Sequence, residues 1–317
     1  MSNHRCCVIG GSGFIGHHLV EILARQGKCL TVIGRKPAPS RRLPPETRYL
    51  AGDYGDPSFL RQAFSDVDEI IDLAYTSVPK TSFEDPIKDI LSNLPASVNL
   101  FEVASFFSIK KIVIVSSGGT VYGNAVNLPI KEDHPTNPIS PYGITKLAVE
   151  KYARLYHVLK GLPIVCVRPG NAFGEGQKPF VEQGFVATAI ASILEKRDIN
   201  IFGKEGTIRD FIYVKDVANG IASGLNCRPG ECYNIGTGIG TKTQKVLEIL
   251  ASIAKSKDVL SRVKILPSRK YDVPANILDS SKLTSETGWT PKVPLREGLE
   301  LTWKYFEENY RCQTASH

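Results

Sequence analysis

Arg5-Cys6-Cys7-Val8-Ile9-Gly10-Gly11-Ser12-Gly13-Phe14-Ile15-Gly16 runs from a short apolar strand into a glycine-rich turn, and helical periodicity follows at once over 14–26. Glycine in the turn lets the backbone bend tightly and approach a pyrophosphate, and glycine at position 16 lets helix and strand pack closely. The helix start presents unpaired N–H groups and the positive end of its dipole. Glycines also collect in plain tight turns. Their placement between a first strand and a first helix favours a dinucleotide loop, with Gly10, Gly13, Phe14, Ile15 and Gly16 against the cofactor.

Outward from this unit, short β-branched runs alternate with longer helical patterns. Strands are predicted over 5–9, 29–33, 69–73, 111–116 and 163–167, and helices over 14–26, 57–64, 85–107 and 141–160, with a kink or break at Pro95. The alternation predicts an α/β fold, a doubly wound parallel sheet of Rossmann type. Beyond Arg168 the connections lengthen and fill with Gly and Pro, which predicts a smaller mixed α/β lobe. The expected division is 1–170 for the dinucleotide and 171–317 for the substrate. Part of 210–240, a helix over 217–225 and a strand over 232–235, is expected to return to the first domain.

The chain has 317 residues, 42% hydrophobic and 22% charged, proportions that exclude a disordered or collagen-like protein. No apolar stretch approaches the roughly 18 residues of a membrane span, and the first strand begins at Arg5, so a cytoplasmic protein without membrane attachment is expected. The seven cysteines contain no C-x-x-C pair, which argues against a disulfide framework and a metal site. The net charge of +7 comes from scattered basic residues, a poor footprint for nucleic acid.

A dinucleotide fold usually places a carboxylate at the end of its second strand for the adenosine ribose. Here the sequence reads Gly34-Arg35-Lys36. Two cations at that place suit a 2′-phosphate, which puts NADP ahead of NAD as the cofactor; alternatively, Arg35 and Lys36 simply begin a solvated basic loop.

Further on, the fourth strand runs into Ser116-Ser117-Gly118-Gly119-Thr120-Val121-Tyr122-Gly123, and Tyr142-Gly143-Ile144-Thr145-Lys146 opens a helix with Ser140 and Pro141 as its cap and first residue. A spacing of four puts Tyr142 and Lys146 on one helical face. A neighbouring cation favours phenolate, the form that removes a proton from an alcohol. Tyr156 and Lys160 repeat the spacing far down the same helix and read as structural.

Together these three elements resemble the extended short-chain dehydrogenase/reductase family, in its nucleotide-sugar epimerase/dehydratase branch. The resemblance implies that Asp53 and Tyr54 lie at the adenine side, that the segment Leu73-Ala74-Tyr75 lines the cofactor together with Ser116, and that Asn93 supports the polar network. Taken alone, Asp53 equally suits a cap for the helix at 57. Asn171, in Arg168-Pro169-Gly170-Asn171, is similar to a family asparagine that contacts the sugar nucleotide. Arg209, in Arg209-Asp210-Phe211, and Arg269, in Arg269-Lys270-Tyr271-Asp272, resemble arginines that grip the diphosphate, with Asp272 meeting the nucleotide ribose.

The sequence also departs from the family pattern. The hydroxyl residue that completes the triad falls on Gly118; alternation along an extended segment nominates Thr120 as its replacement, which also puts Thr120 among the substrate-binding residues. The neighbouring pair Gly119-Thr120 lacks the Asp-Glu pair of 4,6-dehydratases. Asn276 stands where many epimerases carry a tyrosine bounding the hexose pocket, so it either leaves room for an N-acetyl group or points away.

The resemblance implies a nucleotide-sugar 4-epimerase using NAD or NADP, with a UDP-hexose or UDP-N-acetylhexosamine as substrate. A 4-keto-6-deoxyhexose reductase consuming NADPH is the alternative, and a non-catalytic NAD(P)-binding regulator is the alternative of another kind. The family also implies a homodimer through the helix after Asp85 and the helix of Tyr142; Phe101, Phe106 and Phe107 are compatible with that interface, and core packing explains them equally well.

Overall fold

The computed structural model describes residues 4–181, 184–204, 206–256, 258–269 and 272–314, the side chains of 310–314 excepted. The first part comprises β1 (Arg5–Ile9), α1 (Phe14–Arg25), β2 (Cys29–Gly34), β3 (Arg48–Ala51), α2 (Pro57–Phe64), β4 (Glu69–Asp72), α3 (Pro79–Glu84), α4 (Pro86–Ala104), β5 (Lys111–Val115), α5 (Pro141–Lys160) and β6 (Ile164–Pro169). After these come β7 (Asn171–Phe173), α6 (Phe185–Leu194), β8 (Ile199–Phe202), β9 (Ile208–Tyr213), α7 (Val214–Ser223), β10 (Cys232–Ile235), β11 (Gly240–Lys242) and α8 (Thr243–Ile253). The remainder is α9 (Asp258–Ser261), β12 (Val263–Leu266), β13 (Ala275–Asn276), α10 (Ser281–Thr287) and α11 (Leu295–Thr314).

Seven strands form one parallel sheet in the order β10-β6-β5-β4-β1-β2-β3. Strand order reverses between β1 and β4, and the crevice at such a switch point is where doubly wound sheets bind ligands. Helices bury both faces, so the strands read as continuous apolar runs. Cys6 and Val8 point into one cluster with Leu19 and Ile221, while Cys7 and Ile9 point into the other with Leu100 and Ile112. A third cluster, including Phe173, Ile190, Leu247 and Leu299, underlies the smaller lobe. There β9 pairs with β7, β11 and β13, and β8 pairs with β12.

Local chemistry explains the differences from expectation. Helix α4 runs unbroken through Pro95, because Pro95 and Leu91, whose carbonyl it leaves unpaired, are both exposed. Strand β3 is a four-residue edge strand with no buried residue, so no apolar run announces it. Helix α2 is capped by Asp56, which accepts from Ser58 N at 2.9 Å, and not by Asp53, whose carboxylate accepts from Gly55 N. Among the described residues no helix is long and apolar enough to cross a membrane, and no cluster of three metal-ligating side chains occurs.

Candidate active site

At the end of β1 the chain turns through Gly10 at φ +78°, and α1 starts at once. A Cβ on Gly16 would stand 2.3 Å from the Gly10 carbonyl oxygen, so only glycine permits this turn. Gly13 occupies the N-cap with no side chain capping the helix, which leaves first-turn N–H groups available to an anion. Gly10, Gly13, Phe14, Ile15, Gly16 and Leu73 line one end of a cleft of about 550 Å³ at the switch point.

The middle of that cleft carries Ser116, Ser117, Thr120, Tyr142 and Lys146. Ser140 caps α5 by accepting from Gly143 N at 3.1 Å, and Tyr142 N donates to Ser82 Oγ at 3.1 Å. A Cβ on Gly143 would lie 2.9 Å from the Thr120 carbonyl oxygen, so glycine lets the helix start approach the turn after β5. Lys146 is buried, and its Nζ donates to the Val115 carbonyl at 2.8 Å.

That turn corrects the expectation for Thr120. Thr120 N and Val121 N both bond back to the Ser117 carbonyl, so the segment is not extended and alternation does not apply. A Cβ at Gly118 would face Leu278 and the Arg168 carbonyl, away from the cleft. The hydroxyl that holds the Tyr142 phenol down, against its burial, is that of Ser117. Thr120 lines the cleft with its hydroxyl buried and unpaired.

Burial sets the electrostatics. It pushes the Tyr142 phenol well up, with Asp89 adding to the rise and Ser117 opposing it. Lys146 comes down to about 8 by desolvation, against the fields of Asp72, Glu150, Asp89 and Cys166. Asp72, also buried, is pushed up to about 6 by the same desolvation.

From the smaller lobe Asn171, Arg209, Arg269 and Asp272 reach the same cleft. Arg209 is held by the Ile208 and Val273 carbonyls at 3.0 and 2.6 Å. The Arg269 guanidinium lies 3.4 Å over the Phe202 ring. Asp210, next to Arg209, is structural: its carboxylate takes N–H groups from Thr237, Gly238 and Leu278. Lys270 and Tyr271 lie outside the described residues.

Other expected residues do not enter the cleft lining. Arg35 and Lys36 are exposed beyond β2, and Asp53 is exposed beyond β3. Tyr54 is buried in the core, and Ala74 sits behind the glycine turn. Asn93 is fully buried and accepts from Thr76 N and Thr76 Oγ1, tying down the segment after β4. Asn276 is buried against Gly118, to whose carbonyl it donates at 2.9 Å, rather than bounding a hexose pocket. Sequence reasoning passed over Gln177 and Phe185, which line the cleft; Tyr75, expected beside the cofactor with Leu73, lines it too.

The cleft suits a dinucleotide and a second anionic ligand. The glycine turn leaves backbone room for a pyrophosphate, and Ser116 Oγ and Thr120 Oγ1 are buried cleft hydroxyls with no protein partner. The family model described as "NAD dependent epimerase/dehydratase family" matches residues 6–236. The UDP-glucose 4-epimerase of Mycolicibacterium smegmatis is 32% identical over 314 residues, covering 95% of this chain and 98% of that protein. The Thermotoga maritima UDP-glucose 4-epimerase, solved with UDP-glucose, superimposes with a TM-score of 0.91 at 32% identity, covering 96% and 99% of the two chains. The Thermus thermophilus UDP-glucose 4-epimerase, solved with NAD, gives 0.88 at 33% identity, again over 96% and 99%.

Proposed function

The chain belongs to the NAD-dependent epimerase/dehydratase family, and within it we propose that it is a nucleotide-sugar 4-epimerase working with NAD on a UDP-hexose or UDP-N-acetylhexosamine. The observation that carries this reading is the convergence of Tyr142, Lys146 and the glycine turn with Arg209, Arg269 and Asp272 in one cleft. NAD, when bound, supplies the acceptor and then the donor of the C4 hydride. Gly10, Gly13, Gly16, Leu73 and Ser116 hold it, with Asp53 left for the adenine.

Tyr142 takes the proton of the sugar's C4 hydroxyl at its phenolic oxygen and returns it after the sugar has turned over. Ser117 orients that hydroxyl, and Lys146 keeps a cation on the same helical face. Arg209 and Arg269 grip the diphosphate, Asp272 the ribose and Asn171 the sugar nucleotide, so the 4-keto sugar rotates without leaving. The reductase alternative leaned on Arg35 and Lys36 as a site for NADP; the NAD-dependent family and the similar Thermus thermophilus enzyme solved with NAD favour NAD, the cofactor we assign.

Tyr142→Phe tests the reading directly. Turnover should fall by about a thousandfold or more while UDP affinity, measured by calorimetry, stays within a factor of two or so. If the unaltered protein is inert toward UDP-, dTDP- and GDP-hexoses alike, the non-catalytic alternative replaces the epimerase.

A further inference from the structure

Tyr75 has no part in the reaction just described, yet its ring stands at the centre of the site. We infer that Tyr75 is a positioning residue whose ring seats the Lys146 ammonium and braces the Tyr142 phenol. Its kinetic consequence rests on the epimerase reading; its geometric content does not.

Lys146 Nζ lies 4.0 Å from the centroid of the Tyr75 ring and 5.9 Å from that of Tyr142. The ammonium is buried, and its one hydrogen bond among the described residues goes to the Val115 carbonyl. Asp72 on β4, Asp89 on α4, Glu150 on α5 and Cys166 on β6 are the titratable groups whose fields reach it. None of the carboxylates forms an ion pair with it among the described residues. A desolvated ammonium in that position is stabilised by the negative face of an aromatic ring. The same ring meets Tyr142 edge to face, centroids 4.9 Å apart at 70°, and so restrains the phenol as well.

The ring is itself held in place. On one side Ala74 N donates to Asp72 Oδ1 at 2.9 Å; on the other Thr76 N donates to the buried Asn93 Oδ1 at 2.9 Å. Asn93 is fixed in turn by donating to the Asp89 carbonyl at 2.7 Å. The backbone of Tyr75 is therefore clamped between two buried side chains, an arrangement that fits a ring whose position matters.

The test compares Tyr75→Phe with Tyr75→Leu in the full chain, with Tyr75→Met standing in should the leucine variant not fold. The titration of Lys146 is followed by 13Cε NMR, its signal assigned by its loss in Lys146→Met. Tyr75→Phe should keep the Lys146 midpoint, and Tyr75→Leu should lower it by about one pH unit. In turnover, Tyr75→Leu should lower kcat by about tenfold, leave KM near its original value and move the alkaline limb of the pH profile downward. A midpoint that is unchanged or raised without the ring, or equal effects of Phe and Leu, overturns the inference. An unaltered protein with no turnover sinks the epimerase reading, and the NMR titration still decides the role of the ring.

Discussion

Asn276 on β13 donates through Nδ2 to the carbonyl of Gly118, 2.9 Å away, joining the smaller lobe to the turn that carries Ser117. The bond is buried, so Asn276→Ala should strand the Gly118 carbonyl and cost about 1–3 kcal/mol of stability. Urea unfolding measures the loss, and UDP affinity should change little. Unaltered stability would mean that the bond does not hold the two lobes together.

Ser117 and Thr120 offer the two hydroxyls of the reactive turn, and they should not be equivalent. Ser117 is the side chain that favours the Tyr142 phenolate, so Ser117→Ala should lower kcat by about a hundredfold. Thr120→Ala, which removes a hydroxyl with no protein partner, should cost clearly less. Steady-state kinetics on the same UDP-sugar gives the order, and the reverse order would return the triad to Thr120.

The difference between those residues marks where the sequence stops being legible. Apart from β3 and α3, the strands and helices from Arg5 to Lys160 follow from periodicity and punctuation, because a strand buried on both faces and a helix with Ser140 and Pro141 at its start declare themselves locally. Tyr142, Lys146 and the glycine turn are equally readable, since each sits at a strand end or helix start that local pattern fixes. Which way Gly118 faces depends on a non-local neighbour, Leu278, and on a turn closed onto the Ser117 carbonyl. Asn276 and Tyr75 likewise take their roles from partners that chain order does not bring near, Gly118 in one case and Lys146 in the other.

Asp72 should leave a signature in stability against pH. Its folded value is raised to about 6 by burial, above the ordinary carboxylate range near 4. Between those values the folded state binds more protons than the unfolded chain, so this contribution is full below about pH 4 and is lost as pH rises through 6. The loss amounts to about 3 kcal/mol. Asp72→Asn keeps an acceptor for Ala74 N and removes the titration, so it should gain on the unaltered protein across that window in urea unfolding. Parallel curves for the two proteins would refute the assignment.

For the expected homodimer we propose a different surface from the phenylalanines singled out in the sequence. Phe101 is fully buried, Phe107 packs on Phe64, and exposed Phe106 sits under Arg61. The apolar residues left uncovered are Ile87, Ile90 and Leu91 on α4 and Ile144, Leu155, Val158 and Leu159 on α5, with Leu91 66% and Leu159 70% exposed. Their spacing of three and four puts each set on one face; α4 packs against α5 with Asp89 against Thr145 and Glu102 against Tyr156, so Ile144 stands level with the α4 set while Leu155, Val158 and Leu159 lie farther along the pair. A second copy of this pair would bury both stripes, with every substitution counted twice by the symmetry. Leu91→Glu with Leu159→Glu should therefore turn the dimer into a monomer in sedimentation velocity, since each leucine contributes about 2 kcal/mol on burial. An unaltered chain that sediments as a monomer at tens of micromolar, or a double variant that still sediments as a dimer, would exclude this face as the interface.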